Sequence, residues 1–361
     1  TKGYELPTQY PVPVVMNFNI TFNCNRRCVY CYLNANHSEK IEEGVVSQNR
    51  FLEIINEAAD LGVCKMVFIG GEPFLRENLI ELLELCSERR IHTQVTTKSC
   101  IDEELMRRLG NLDFFDLYLS YDSDDPKICN KLVGNPNIQD EMEKTLRLAL
   151  EYGVNVTLAP VLCSINAEGF IGFMEKVVNL GVKSVFVTRY FDSIGRHSRQ
   201  FHVTDEMWNK VKNECRKIDR GIKFNDESIN PIRETWEKEG IYLDGHNPTK
   251  CAQGRTDMTI LPDGKVSYCG FLVRMNEYLT YGDLCCESIL SVWKSERLQK
   301  LINPQRQKYQ GTPCYDCGLF ENCPYRMRCI NRSFVEKHTF FAPSMEGEFL
   351  CDRYVHKAKE E

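Results

Sequence analysis

The chain has 361 residues, of which 42% are hydrophobic and 27% charged, with a formal net charge of −6. That is the composition of a folded globular protein of two or three domains, or of one barrel with an appendage, and not of a disordered, collagenous or membrane chain. The acidic balance leaves no basic footprint for nucleic acid, and no apolar run reaches the ~18 residues of a membrane span. Cysteine is the outlier, at 18 residues. Such a density implies either a disulfide framework or bound metal. Residues 1–13 lack a secretory pattern, the chain exceeds the size of disulfide-stapled mini-domains, and the cysteines fall in tight C-x2-C and C-x3-C groups. We therefore expect metal and a cytoplasmic location.

From residue 14 to about 190 the pattern alternates between short β-branched or aromatic runs and segments of helical period. Strands are expected at Val14–Ile20, Met66–Ile69, Thr93–Thr97, Phe115–Tyr121, Val154–Val161 and Ser184–Tyr190. Helices are expected near Ser47–Leu61, Glu77–Arg90, Asp102–Leu109, Ile138–Tyr152 and Ala167–Leu180, several closed by a glycine: Gly62, Gly110, Gly153 and Gly181. Six βα units make a parallel sheet, open or curled into a partial barrel, with its active site at the C-terminal ends of the strands. A polar stretch near 191–203 marks a boundary, and a helical segment follows at Asp205–Ile218. Beyond it the chain becomes rich in Cys, Gly, Tyr and Pro up to Cys351, so something besides an apolar core must hold it. Residues 354–361 read as a solvated, charged tail.

Just after the first strand stands Cys24-Asn-Arg-Arg-Cys28-Val-Tyr-Cys31. Three thiolates on one short loop at the mouth of a sheet suit an iron-sulfur cluster better than structural zinc, which takes four closed ligands. A cubane held by three cysteines keeps one iron open for a substrate or cofactor. Gly70-Gly71-Glu72-Pro73 follows the second strand, where glycine lets backbone approach a ligand closely and Glu72 can receive an ammonium group.

The cysteine loop resembles the signature of the radical S-adenosylmethionine (SAM) superfamily. The resemblance implies a partial (β/α)6 TIM-like barrel in which the amino and carboxylate groups of SAM occupy the open iron. One electron from the cluster then cleaves SAM, and the 5′-deoxyadenosyl radical removes hydrogen from a substrate. By position, Cys24, Cys28 and Cys31 would hold the cluster, Tyr30 would lie against the adenine, and Gly70, Gly71, Glu72 and Pro73 would contact the methionyl end. Ser120-Tyr-Asp122 is similar to the family's S-x-D-G, with Ser120 a SAM contact and Ser123 in place of glycine. Where relatives carry H-D-x-x-R-G this chain reads Cys129 to Gly134, so Val133 replaces a carboxylate-binding arginine. Lys131 and Arg189 are the candidate replacements. Gly195-Arg196 resembles the relatives' G-R-A turn.

The C-terminal cysteines, Cys251-x12-Gly264-x4-Cys269, Cys314-x2-Cys317-x5-Cys323-x5-Cys329 and Cys351, are similar to the SPASM pattern of two auxiliary four-iron clusters. The last spacing is five where relatives usually have three. Gly282-Asp-Leu and Ser288-x4-Trp293-Lys-Ser295 match the stretch between the two halves. A zinc ribbon would use four of these seven cysteines and orphan three. By family precedent Cys314, Cys317, Cys323 and Cys351 would ligate the outer cluster, and Cys251, Cys269 and Cys329 the inner one. The inner cluster's fourth ligand stays open among Asp257, Cys285, Cys286 and a substrate group. The remaining cysteines, Cys64, Cys86, Cys100, Cys129, Cys163 and Cys215, read as packed thiols, with Cys100 able to face the cavity. The implied organisation is an extension (1–13), the barrel (14–203), a helical linker (204–250), a small Cys-rich C-terminal SPASM domain (251–353) and the tail (354–361).

The implied cofactors are three 4Fe-4S clusters and SAM, with a flavodoxin- or ferredoxin-type reductant. About thirteen residues precede the first strand, so no leader-peptide-binding domain is expected, and Gly270 stands where sulfatase-maturing enzymes place an aspartate base. The leading expectation is oxidative modification of a ribosomally made peptide, by crosslink, thioether or related chemistry. The alternatives are a small-molecule dehydrogenase or epimerase and, from another class, a non-enzymatic iron-sulfur electron carrier.

Overall fold

The computed structural model describes residues 9–33, 46–190, 199–219, 221–224, 251–272, 279–318, 320, 330, 333, 334 and 341. Cys323, Cys329, Cys351, Gly195-Arg196, most of the expected linker and the charged tail lie outside the described residues. The elements in order are β1 (Val15–Thr21), α1 (Gln48–Leu61), β2 (Lys65–Gly70), α2 (Leu79–Glu88), β3 (His92–Thr97), α3 (Glu103–Gly110), β4 (Phe115–Leu119), α4 (Pro126–Val133), α5 (Ile138–Glu151), β5 (Asn155–Leu158), β6 (Val161–Leu162), α6 (Phe170–Asn179), β7 (Ser184–Arg189), α7 (Asp205–Ile218) and β8 (Ile222–Phe224). The C-terminal part adds β9 (Asp257–Ile260), β10 (Lys265–Ser267), β11 (Thr280–Asp283), α8 (Ile289–Trp293) and α9 (Glu296–Ile302).

All the described strands join one sheet, in the order β11-β10-β9-β1-β2-β3-β4-β5-β7-β6, with β8 also on β7. The run from β9 through β1 to β8 is parallel, which right-handed βα units require. Two differences from the expected architecture stand out. The unit β7-α7-β8 carries the parallel sheet past residue 203, and β9 pairs directly with β1, so the Cys-rich region extends the barrel wall instead of hanging from it. Residues 9 and 10 are laced to that region as well: Gln9 Nε2 donates to the carbonyls of Gly254 and Trp293, and Trp293 Nε1 donates to the Tyr10 carbonyl.

Alternation sets the two faces of each strand. Met16, Phe18 and Ile20 face the helices, where Phe18 packs on Phe51 and Phe68 at ring separations of 4.8 and 5.7 Å. Val15, Asn17, Asn19 and Thr21 share the opposite face, the barrel interior. The expected Val154–Val161 strand is split into β5 and β6, because Pro160 has no N–H for the ladder. Gly62, Gly153 and Gly181 close their helices with positive φ. Gly110 instead ends α3 itself, and a Cβ there would come within 2.7 Å of the Tyr152 carbonyl. Among the described residues no helix is long and apolar enough to cross a membrane.

Candidate active site

The C-terminal ends of β1 to β4 form one rim, and most of the expected site residues lie on it. The segment after β2 runs beside the segment after β1. Gly71 N–H donates to Thr21 O at 2.7 Å and Glu72 N–H to Asn23 O at 2.8 Å. Gly70 has φ +131°, and a Cβ on Gly71 would overlap the Asn23 carbonyl, so side chains are excluded on backbone grounds. Pro73 is buried and opens a short 3-10 turn. Glu72 is buried too, and its carboxylate is held by Thr97 Oγ1 (2.6 Å) and the N–H groups of Lys98 (2.9 Å) and Phe74 (3.3 Å).

The cysteine loop that follows Asn23 is braced from three directions. The N–H groups of Arg27 and Val29 donate to Val133 O and Leu132 O, both at 2.9 Å, so the last turn of α4 underpins the loop. Arg26 is 6% exposed; its Nε and Nη2 donate to the Lys98 carbonyl at 3.2 and 2.9 Å, and Nη2 pairs with Glu141 of α5 at 2.5 Å. The Arg26 N–H also donates to Cys24 Sγ at 3.4 Å, the kind of contact that stabilises a ligating thiolate. Cys24, Cys28 and Cys31 are all free thiols of intermediate exposure. Burial pushes the Cys28 thiol up to about 12, only partly opposed by the Lys98 ammonium. A thiolate there therefore needs a metal to stabilise it. Among the described residues no three Cys, His, Asp or Glu side chains converge as a single metal ion requires. Three free thiols on one loop are the donor set that an iron-sulfur cluster takes, so the residues present fit that group.

Beside the loop lies a buried polar wall. Tyr30 Oη donates to Asp122 Oδ2 at 2.5 Å, and Lys98 Nζ donates to the same oxygen at 2.9 Å and to Ser120 O at 2.8 Å. The Lys98 ammonium sits over the Tyr30 ring, 5.5 Å from its centroid, and Asp122 Oδ1 accepts from Val161 N–H. Burial, with Asp122 next to it, keeps the Tyr30 hydroxyl protonated. Ser123, in place of glycine, accepts from the Asp125 N–H and so helps start α4. Val133 is buried in the core and Lys131 is exposed. Arg189 shares the strand face of Val185 and Val187, and its guanidinium is engaged by Asp205, Val203 O and the Trp208 ring.

The chain regions that carry the first and second cysteine sets are joined where β1 pairs with β9. Tyr32 is partly buried, desolvation with the nearby Cys31 and Cys269 raises its hydroxyl, and its ring meets Phe271 edge-on at 5.4 Å. Cys251 and Cys269 both act on the buried Tyr268 hydroxyl. Cys314 and Cys317 lie on a separate turn, where Arg306 Nη1 donates to the carbonyls of Tyr315 and Cys317, each at 3.0 Å. Asp257 engages Thr256 Oγ1 (2.7 Å) and Asn17 Nδ2 (3.4 Å), and burial raises its carboxyl. Cys285 and Cys286 donate to the carbonyls of Asp263 and Asp283, at the end of β10 remote from Cys269.

Lys98, Arg26, Glu141 and Asn19 were not singled out in the sequence. Lys98 had a usable signal, since it is the first residue beyond β3, where barrel sites are built. Asn19 has none: it is 1% exposed in the barrel interior, and neither amide atom has a protein hydrogen-bond partner.

Residues 18–177 match the Radical SAM superfamily and residues 251–318 the SPASM iron-sulfur cluster-binding domain. A PqqA peptide cyclase of Granulibacter bethesdensis is 31% identical over 171 residues, 47% of this chain and 45% of that protein. The antilisterial bacteriocin subtilosin biosynthesis protein AlbA of Bacillus subtilis is 23% identical over 328 residues, 89% of this chain and 67% of that protein. The chain thus spans less than half of the first relative and about two thirds of the second. The crystal structure of Streptococcus suis SuiB bound to precursor peptide SuiA shares the fold, with TM-score 0.70, 21% identity and coverage of 91% of this chain and 74% of that one. The cofactors that go with the two matched domains are SAM and 4Fe-4S clusters, auxiliary ones included. The two matches take in Cys24, Cys28 and Cys31 on one side and Cys251, Cys269, Cys314 and Cys317 on the other, so the chain carries a radical SAM domain and a SPASM domain.

Proposed function

We propose that this enzyme oxidatively modifies a ribosomally made peptide. The observation that carries the reading is that β1, which leads into the first cysteine loop, pairs with β9 of the second cysteine region, and that Tyr32, next to Cys31, meets Phe271, two residues past Cys269, ring to ring at 5.4 Å. A site of that kind can both start a radical and drain an electron from the substrate, which an oxidative bond-forming reaction needs. The names of the relatives, a peptide cyclase and a bacteriocin biosynthesis protein, support a peptide as the substrate class.

In this reading Cys24, Cys28 and Cys31 hold the SAM-binding cluster. Cys251, Cys269 and Cys329 hold the inner auxiliary cluster, and Cys314, Cys317, Cys323 and Cys351 the outer one. When bound, SAM and the first cluster supply the one-electron cleavage that removes hydrogen from the substrate. The chain's own groups do the rest. Gly70 and Gly71 keep the rim open to the methionyl end, Glu72 receives its ammonium, Ser120 and Tyr30 bound the nucleoside side, and Asp122 orients Tyr30 through the 2.5 Å bond. A flavodoxin- or ferredoxin-type protein delivers the electron, as family chemistry suggests.

The test is anaerobic reconstitution followed by reaction with candidate short precursor peptides. The expected result is about twelve irons per chain and a peptide that loses hydrogen in pairs. Replacing Cys24, Cys28 and Cys31 by alanine should remove about four irons and all SAM cleavage while sparing the auxiliary clusters. Rapid SAM cleavage with aminoglycosides or sugars, and an unchanged peptide, would instead establish the small-molecule reading.

A further inference from the structure

The position where relatives place a carboxylate-binding arginine is Val133, and it faces the core. Of the two replacements expected from the sequence, Lys131 is exposed and Arg189 is engaged by Asp205 and Val203 on another strand face. The buried wall of the site nevertheless contains a cation. Lys98 is 8% exposed, and its ammonium lies among Tyr30, Ser120 and Asp122, the residues that line the SAM side of the rim.

We propose that Lys98 is the residue that receives the carboxylate of SAM, in place of the missing arginine at position 133. An ammonium has three donors, and two are accounted for by Ser120 O and Asp122 Oδ2. The third is available to a ligand. Glu72 is anchored to the same stretch of backbone, through the Lys98 N–H at 2.9 Å, and its carboxylate oxygens keep spare acceptor capacity. A buried anion and a buried cation side by side on adjoining strand ends complement the zwitterionic end of an α-amino acid, which is what the methionyl part of SAM presents. The other buried cation near the loop, Arg26, is turned away toward Lys98 O and Glu141. The reading rests on SAM as cofactor and is independent of what the substrate is.

The experiment compares two ligands on the cluster-loaded protein: SAM, and 5′-methylthioadenosine, which keeps the nucleoside and sulfur but lacks the amino-acid end. Anaerobic equilibrium dialysis measures both, with iron content as the loading control. Lys98→Met should weaken SAM by about tenfold or more and leave 5′-methylthioadenosine within about twofold, while Lys98→Arg keeps most of the SAM affinity. Equal loss for both ligands would show that Lys98 merely holds Tyr30 and Asp122 in place, and no loss for either would show that it does not touch the carboxylate. Either result overturns the assignment. Because Lys98→Met strands the Asp122 charge in the interior, Lys98→Met/Asp122→Asn is measured beside it. That neutral pair should show the same selective loss, and an unselective loss overturns the assignment there too. Wild-type protein that binds neither ligand would overturn the cofactor reading along with it.

Discussion

Among the described residues an arginine ties the Cys24–Cys31 loop and another ties the Cys314–Cys317 turn, and they do so differently. Arg26 ties the Cys24–Cys31 loop to the Lys98 carbonyl and to Glu141, groups 72 and 115 residues away in sequence. Arg306 ties the Cys314–Cys317 turn to carbonyls 9 and 11 residues away. The first loop also leans on α4 and on the Gly70–Glu72 segment, beneath which lies the continuous barrel core. Around the second, the described apolar support is the small cluster of Tyr309, Cys314 and Phe320. The lesson is that the barrel holds its cluster loop through contacts distant in sequence, whereas the bonds just named for the second turn are local, so we expect bound metal to matter more to the order of that turn.

Five measurements break or sharpen that contrast and, with the two arginine variants taken as a pair, run from the largest effect to the smallest. Removing iron by anaerobic chelation should raise amide exchange across 306–317 by about tenfold or more and leave β1 to β4 within about twofold, read by hydrogen-exchange mass spectrometry. A uniform rise would mean that the barrel, too, depends on iron. Arg26→Met should cost about 3 kcal/mol in denaturant unfolding of the iron-free protein, since it leaves Glu141 and the Lys98 carbonyl without their partner. The matching Arg306→Met should cost about 1 kcal/mol, the scale of local hydrogen bonds. Gly71→Ala pushes a methyl group into the Asn23 carbonyl and should cost about 1–3 kcal/mol, with weaker retention of the first cluster as seen by iron count and electron paramagnetic resonance. The smallest effect belongs to Asn19→Leu. It removes two buried amide atoms that have no protein partner, so the melting temperature should hold or rise, and a clear fall would show that Asn19 is structural.

Several of these features were legible in the chain and several were not. Six strands of the parallel sheet came from alternation, and helix ends from Gly62, Gly153 and Gly181. Helix α4 was missed although its signals were all present: Asp125 accepts from the Lys127 and Ile128 N–H groups, Pro126 opens the first turn, and Gly134 closes it at φ +70°. Cys129–Gly134 resembles a motif in sequence, and in the structure that stretch is the last part of α4 and its closing glycine. The pairing of β9 with β1 had no such signal, because its register is decided between segments more than two hundred residues apart.

The sequence by itself determined the chemistry: the cysteine spacings, Gly70–Pro73 and the run of βα units sufficed to assign the radical SAM barrel and its SPASM domain, since ligand spacing and strand periodicity are local properties of the chain. Only the tertiary structure decided which charges reach the site. Arg189 and Lys131 were plausible cations on paper, yet Arg189 shares the strand face of Val185 and Val187 and lies against Asp205, and Lys131 faces outward. Lys98, unremarkable in sequence, is driven between Tyr30, Ser120 and Asp122 because a buried ammonium is tolerated only where partners converge on it, and that convergence exists only once β1, β2, β3 and β4 are assembled in one sheet.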